Sequence, residues 1–136
     1  MRKFLLILSV ILLGALSGCR KNSFANKQAF ALHYMGISNI HPGETATTSP
    51  SWLGDTPENF SIPLILFNGN IFYQPKIDGP LTEDSSFYVD PGTGIFKIQN
   101  TSSLKAGIYK VTVNCSSGGQ AYEFADAIII TMLKEK

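Results

Sequence analysis

The sequence contains little charge: Asp, Glu, Lys and Arg make up 15% of its 136 residues, and the formal net charge is +1. A nucleic-acid-binding protein carries a basic surface, and a chain disordered by charge repulsion carries a large net charge. The composition argues against both classes. Heptads, long amphipathic helical patterns and low-complexity tracts are also lacking. Length and composition together predict one compact domain.

Residues that carry out catalysis are scarce. The two histidines, His33 and His41, lie outside any nucleophile motif, and a zinc site would need further ligands that the sequence does not supply. The adjacent acids Glu83 and Asp84 lack the separation that a glycosidase requires of its two carboxyl groups. We therefore predict a protein that is not an enzyme.

The acidic residues are not grouped as a calcium site requires. Ca²⁺ takes roughly six to eight oxygen ligands, and the acids between Asp55 and Asp90 do not form a closely spaced set. Asp90 is expected to cap its own turn instead. The sequence predicts no metal, and no cofactor apart from a covalent lipid.

A hydrophobic leader opens the chain. Arg2 and Lys3 precede an apolar run from Phe4 to Leu13, and the whole stretch to Leu16 is shorter than the roughly 20 residues that span a membrane. This layout is typical of a secretory signal peptide. We place the signal peptide at residues 1–18.

The leader ends in Leu16-Ser17-Gly18-Cys19, which resembles the lipobox of bacterial lipoproteins: an aliphatic residue, two small residues and the cysteine that receives the lipid. The resemblance implies cleavage between Gly18 and Cys19, and lipid on the Cys19 sulfur. An ordinary signal peptide with a chance cysteine is the alternative. Two acyl chains give stable anchoring, so a membrane is the first predicted partner.

The residue after the lipobox bears on location in the cell envelope. The lipoprotein family retains members at the inner membrane through an aspartate after the cysteine, and Arg20 stands at that position. The resemblance therefore favours the outer membrane, with the periplasmic and surface faces both open. Residues 19–27 are interpreted as a lipidated tether, and residues 28–136 as the folded domain.

The rest of the chain has β patterning. Short runs rich in Val, Ile, Phe, Tyr and Thr alternate with clusters of turn residues. Apolar residues occupy every second position from Tyr109 to Cys115, and Asn68-Gly69 is a favoured two-residue hairpin turn. Pro63 indicates an edge or a bulge. The spacing predicts a two-sheet sandwich of seven to nine strands.

Two spaced patterns resemble the core of bacterial immunoglobulin-like and cadherin-like domains. They are Phe87-x-Val-Asp90-x-x-Thr93-Gly94-x-Phe96 and Leu104-x-x-Gly107-x-Tyr109-x-Val-x-Val113. Residues 43–52 and 60–62 are in addition similar to Ig repeats of bacterial secreted and surface lipoproteins. The resemblance, which covers most of Leu32 to Met132, implies an all-β, Ig-like or cadherin-like β-sandwich after the signal peptide.

The resemblance also assigns individual positions. Tyr109 matches the tyrosine corner, and Val111 stands where an antibody domain has its second cysteine. Trp52 occupies a position that usually packs in the interior. Cys115 is then left without a partner, and we interpret it as a buried free thiol, with an intermolecular disulfide as the alternative.

Domains of this class serve adhesion, spacing, glycan binding and assembly alike. We predict a membrane-anchored envelope lipoprotein whose single Ig-like domain is a non-catalytic adhesion or protein-interaction module. The alternative is a small carbohydrate-binding lipoprotein that assists glycan uptake or degradation. The partner is accordingly an envelope protein or a glycan.

Each alternative has its own candidate surface. For a glycan, the candidate contacts are Tyr73, Tyr88 and Tyr122, beside the loop from Gln74 to Asp84 or on outward faces. For a protein partner, an exposed strand edge at Ile128, Ile130 and Met132 would favour strand addition. We favour coverage of that edge by the strand that contains Phe30.

Overall fold

The computed structural model describes residues 29–136, and the predicted signal peptide, lipobox and tether lie outside them. The described chain is almost entirely β, which confirms the predicted class. Its strands are β1 (Ala31–Tyr34), β2 (Ile37–Ile40), β3 (Ala46–Thr48), β4 (Pro50–Leu53), β5 (Glu58–Phe67), β6 (Asn70–Tyr73), β7 (Phe87–Val89), β8 (Phe96–Ile98), β9 (Gly107–Ser117) and β10 (Gln120–Met132). A helical turn, α1 (Pro75–Asp78), and a 3-10 turn (Thr101–Ser103) complete the described elements.

The strands form three sheets. A five-stranded sheet has the order β2-β10-β9-β5-β6, a three-stranded sheet has the order β3-β8-β7, and β1 pairs with β4 in a separate ribbon. The ten described strands exceed the seven to nine predicted, because turns divide the segment before β5 into four short strands. Within residues 29–136, no helix has the length and apolar character needed to cross a membrane.

The core lies between the two larger sheets and follows the predicted alternation. Tyr109, Val111, Val113 and Cys115 on β9 are all buried. The ring of Phe87 on the three-stranded sheet lies 5.4 Å from the ring of Tyr109, measured between centroids, so the two sheets are in contact there. The other face of β9 was predicted to be exposed to solvent, but it is partly buried: Thr112, which pairs with Leu64 on β5, is also buried.

Two local predictions about β9 are confirmed. The Tyr109 hydroxyl donates a hydrogen bond to the Lys105 carbonyl at 3.0 Å, which is the tyrosine corner. Cys115 is buried, as predicted, and has no disulfide partner among residues 29–136; burial raises the pKa of its thiol. A raised pKa favours the unreactive protonated form at neutral pH.

The long strand β5 shows both features that Pro63 predicts. The register between β5 and β9 shifts between Ser61 and Leu64, where β5 has one extra residue, as in a bulge. The neighbouring strand β6 pairs with residues from Ile65 onward. Pro63 therefore needs no ladder partner for its missing N–H. The predicted Asn68-Gly69 turn joins β5 to β6, with positive φ at both residues.

The predicted cover of the last strand is wrong. Ile128, Ile130 and Met132 are buried, but the strand that pairs with β10 at this edge is β2, in parallel, and not the strand next to Phe30. A close approach of backbones explains the difference. A Cβ at Gly36 would lie 2.9 Å from the Ile129 carbonyl oxygen, so the glycine lets the chain pass from β1 to the β10 edge.

Candidate functional site

A cleft of about 290 Å³ lies between the first half of β5 and β7, beside the loop that follows β6. We call it the Tyr88 cleft. It is lined by Phe60, Ser61, Ile62, Tyr73, Pro75, Pro80, Leu81, Tyr88, Val89 and Pro91. Apolar side chains with a few hydroxyls are typical of small-molecule sites.

The loop from Gln74 to Asp84 forms one wall of the cleft. The Tyr73 side chain is 7% exposed, and its hydroxyl donates a hydrogen bond to the Gly79 carbonyl at 2.7 Å. The Asp78 carboxylate accepts a hydrogen bond from the Gln74 N–H at 2.9 Å across α1. These bonds hold the loop in one conformation. Tyr73 therefore contributes a fixed wall of the cleft.

Tyr88 lies on the opposite wall and points away from the core. Its neighbours Phe87 and Val89 are buried, and strand alternation turns Tyr88 to the outer face of the three-stranded sheet, opposite Lys97 on β8. Partial desolvation, followed by the negative charges of Glu83 and Asp90, raises the pKa of the Tyr88 phenol. The hydroxyl is therefore protonated at neutral pH and can donate a hydrogen bond.

The turn after β7 fixes the far end of the cleft. Asp90 Oδ1 accepts hydrogen bonds from the N–H groups of Thr93 (2.8 Å) and Gly92 (2.9 Å), which confirms that Asp90 caps its turn. These two backbone bonds lower the pKa of the Asp90 carboxyl. The Phe60 N–H donates to the Pro91 carbonyl at 3.0 Å, so β5 and the turn are joined directly beside the cleft.

Tyr122, the third predicted contact, lies elsewhere. Its ring is 4.7 Å from that of Phe30 and 6.2 Å from that of Phe124, and its hydroxyl donates to Gln120. It borders a separate groove of about 350 Å³ together with Asn114 and Glu123. The structure thus brings Tyr73 and Tyr88 together and leaves Tyr122 apart.

Trp52 was predicted to pack in the interior, and that prediction is wrong. Its side chain is 41% exposed, because β4 pairs with β1 in a ribbon that belongs to neither of the larger sheets. Trp52 lies opposite Leu32 and borders a groove of about 320 Å³ that His33 and Ser51 also line. An exposed indole beside polar groups is a second surface on which a sugar ring can stack.

The remaining polar groups give no catalytic arrangement in the part of the chain that is described. His33 is exposed, and His41 Nδ1 lies 3.1 Å from the Lys134 carbonyl oxygen. Among residues 29–136, no three His, Cys, Asp or Glu side chains are placed to hold a metal ion. What the geometry offers is binding surface.

The tyrosine corner and the two packed sheets, antiparallel except where β2 pairs with β10, define an Ig-like domain. Residues 17–136 match the family described as "Surface glycan binding protein BT4661-like, N-terminal", and the chain belongs to that family. The match confirms the Ig-like bacterial domain that the sequence predicted. Among curated proteins, none matches the chain.

A solved structure is similar to this chain in both sequence and fold. It is that of BT4661, a SusE-like surface located polysaccharide binding protein from the heparin utilisation locus of Bacteroides thetaiotaomicron. The identity is 33% and the TM-score 0.63 over 76% of this chain, but the match covers 16% of BT4661. This chain therefore corresponds to a small part of that protein.

Two other solved structures show lower similarity. The N-terminal four Ig domains of Dscam1 give 11% identity and a TM-score of 0.42, over 79% of this chain and 26% of that one. A family 123 glycoside hydrolase from Clostridium perfringens gives 10% identity and a TM-score of 0.45, over 78% of this chain and 28% of that one. These two likenesses are too weak to bear on function.

Proposed function

We propose that this chain is a carbohydrate-binding accessory protein of the bacterial cell envelope, and that it takes glycan in the Tyr88 cleft. The observation that carries the proposal is membership of a surface-glycan-binding family in a chain that presents two tyrosines in one cleft. A general adhesion module, our first prediction from the sequence, has less support. Both the family and the solved relative are described by glycan or polysaccharide binding.

The cleft has the groups that recognise a pyranose. The Tyr88 ring offers an aromatic face to the C–H groups of the sugar, and the hydroxyls of Tyr88 and Ser61 offer hydrogen bonds. Three prolines in the lining limit motion, so little conformational freedom is lost on binding. The chain needs no catalytic group for this role, in keeping with a relative described as a binding protein.

Replacing Tyr88 with alanine is expected to raise the Kd for the bound glycan by about tenfold, equivalent to ~1.4 kcal/mol. Of the three described aromatic rings that line the cleft, those of Phe60 and Tyr73 are buried, so the substitution removes the ring that is open to a ligand. A glycan array with the purified chain would identify the ligand, and isothermal titration calorimetry would measure Kd. Tyr88→Phe keeps the ring and is expected to bind more tightly than Tyr88→Ala.

Tyr122→Ala is the matched control, because Tyr122 lies outside the cleft. Its Kd is expected to stay within about twofold of the unchanged protein. Circular dichroism would check that both alanine variants are folded. Equal Kd values for Tyr88→Ala and Tyr122→Ala would show that the cleft is not the site, and an array on which no glycan binds would contradict the function itself.

The anchor is the second part of the proposal. The lipobox Leu16-Ser17-Gly18-Cys19 supports a lipid on Cys19, and the surface location of BT4661 supports the outer face of the outer membrane. A tethered binding domain would hold a polysaccharide at the cell surface beside uptake or degradation machinery. Two acyl chains would make the anchoring stable.

Cys19→Ser is expected to abolish lipidation and to shift the protein out of the envelope fraction. Serine lacks the sulfur that forms the thioether. Mass spectrometry of the envelope fraction would show acylated Cys19 in the unchanged chain, and immunoblotting of fractions would follow the variant. Cys115→Ser is the control and is expected to remain in the envelope. An unmodified Cys19 sulfur in the envelope fraction would refute the anchor.

A further inference from the structure

The described domain is acidic although the whole chain is slightly basic. All ten Asp and Glu residues lie among residues 29–136, together with six lysines, which gives this region a formal net charge of −4. It contains no arginine: the two arginines are Arg2 and Arg20. Arginine is the side chain best suited to bidentate contacts with sulfate and carboxylate groups.

The six lysines do not gather around the cleft. Lys76 lies in α1 and Lys97 lies opposite Tyr88, while the other four lie in the loop before β9, on β9 and in the last three residues. None of the six lines the Tyr88 cleft. The described domain therefore has no row of basic side chains at the cleft to which a polyanion could bind.

Three carboxylates lie near residues that line the cleft, although none of the three lines it. Asp78 lies on the side of Tyr73, and Glu83 and Asp90 lie on the side of Tyr88. Desolvation, followed by the charge of Asp78, raises the pKa of Tyr73, and desolvation, followed by the charges of Glu83 and Asp90, raises that of Tyr88. Asp90 stands between Val89 and Pro91, which both line the cleft, so it places a negative charge at that end. Among the described residues, the one ion pair joins Lys136 to Glu44 at 3.9 Å, and these three carboxylates have no ion-pair partner.

We propose that the Tyr88 cleft takes uncharged pyranose units and excludes sulfated or uronic-acid polymers. This inference rests on the proposed function and names the substrate class. A sulfated chain in the cleft would bring negative charge towards Asp78, Glu83 and Asp90, and charges within roughly 8 Å of each other are only partly screened at physiological ionic strength. A neutral sugar meets no such repulsion. Heparin, which gives the BT4661 locus its name, is a sulfated polyanion. The ligand class proposed for this chain is therefore different from heparin.

The test compares neutral and anionic oligosaccharides on the full chain purified in detergent. The neutral probes are cellohexaose, mannohexaose, xylohexaose and maltohexaose, and the anionic probe is a heparin dodecasaccharide. We expect a neutral probe to bind with a Kd that changes less than about twofold between roughly 50 and 500 mM NaCl, since no counterions are released. Heparin is expected not to displace it.

A charge-reversal pair makes the test specific to the cleft. Glu83→Lys is expected to give the protein measurable heparin binding that weakens with salt. Glu123→Lys makes the same change of charge on β10, outside the cleft, and is expected not to do so. One further result agrees with the proposal: heparin binds the unchanged chain, does not displace the neutral sugar, and binds equally well after Tyr88→Ala. Heparin then binds outside the cleft.

Two results would overturn the inference. If heparin displaces the neutral sugar from the unchanged chain, or binds it less tightly after Tyr88→Ala, the cleft accepts polyanions: the substrate class is then wrong while the carbohydrate-binding function stands. If neither class of oligosaccharide binds the unchanged chain, the proposed function fails and the inference falls with it.

Discussion

Gly94→Ala is expected to lower the free energy of unfolding by about 3 kcal/mol. Gly94 has φ +75°, in the left-handed region, where a Cβ adds about 1 kcal/mol. A Cβ there would also lie 2.5 Å from the nearest carbon of the Phe60 ring, and crowding of this kind in a core adds roughly 1–3 kcal/mol. Phe60 is itself buried, so its ring has little room to move aside.

Gly69→Ala separates the two contributions. Gly69 has φ +83° in the β5–β6 turn, and a Cβ there would meet no atom within 4 Å. It should therefore lose only the backbone contribution, about 1 kcal/mol. Urea denaturation of both variants would measure the difference. Equal losses would mean that the Phe60 ring yields without cost, and that the contact does not constrain the turn.

The Gly94 contact also connects the core to the proposed site. Phe60 lines the Tyr88 cleft, and the Tyr34 hydroxyl donates a hydrogen bond to the Gly94 carbonyl at 2.6 Å. Burial and the nearby Cys115 raise the pKa of Tyr34, so this donor keeps its proton across the physiological range. The turn between β7 and β8 is thus held from both sides. Its position in turn fixes Pro91 at the end of the cleft.

Local patterns predicted what depends on a few neighbouring residues. Alternation placed Tyr109, Val111 and Val113 in the core because a strand reverses its face at every residue. The turn at Asp90 follows from a side chain that bonds to the backbone two and three residues further on. The tyrosine corner is likewise local, since Tyr109 reaches back to Lys105. Such features need no knowledge of the partner strands.

Errors arose where a strand has more than one possible partner. The sequence from Phe30 to Ile40 contains two short strands, and no pattern in it indicates which of them pairs with β10. The pairing depends on Gly36, which allows the backbone to approach the Ile129 carbonyl. Trp52 was misplaced for a related reason. Its strand pairs with β1 outside the main sheets, so a residue suited to a core remains exposed.

The candidate site was predicted in part. Tyr73 and Tyr88 line one cleft together with residues of the loop after β6, and the length of that loop was the signal. An outward face on its strand predicted Tyr122 as a contact as well, but Phe30 from the N-terminal segment packs on its ring. A contact between residues so far apart in sequence cannot be obtained from alternation. Apart from the two tyrosines and Ser61, the lining residues of the cleft are prolines and other apolar side chains, which carry no chemical motif.

Tyr109→Ala is expected to lower the free energy of unfolding by about 3–5 kcal/mol, the range for removing a buried aromatic ring. The Tyr109 ring lies between the two larger sheets, with ring centroids of Phe67 at 4.6 Å, Phe72 at 5.3 Å and Phe87 at 5.4 Å. It is 1% exposed, so deletion leaves a cavity that this aromatic cluster cannot easily fill. The loss would approach the whole stability of a small domain, about 5–15 kcal/mol.

Tyr109→Phe tests the tyrosine corner alone. It keeps the ring and removes the hydrogen bond to the Lys105 carbonyl, for an expected loss of about 1 kcal/mol. Urea denaturation followed by tryptophan fluorescence and circular dichroism would give both values, with an unchanged m-value showing that the same surface unfolds. If Tyr109→Phe lost as much as Tyr109→Ala, the hydroxyl rather than the ring would hold the sheets together, and the aromatic contact between them would be incidental to stability.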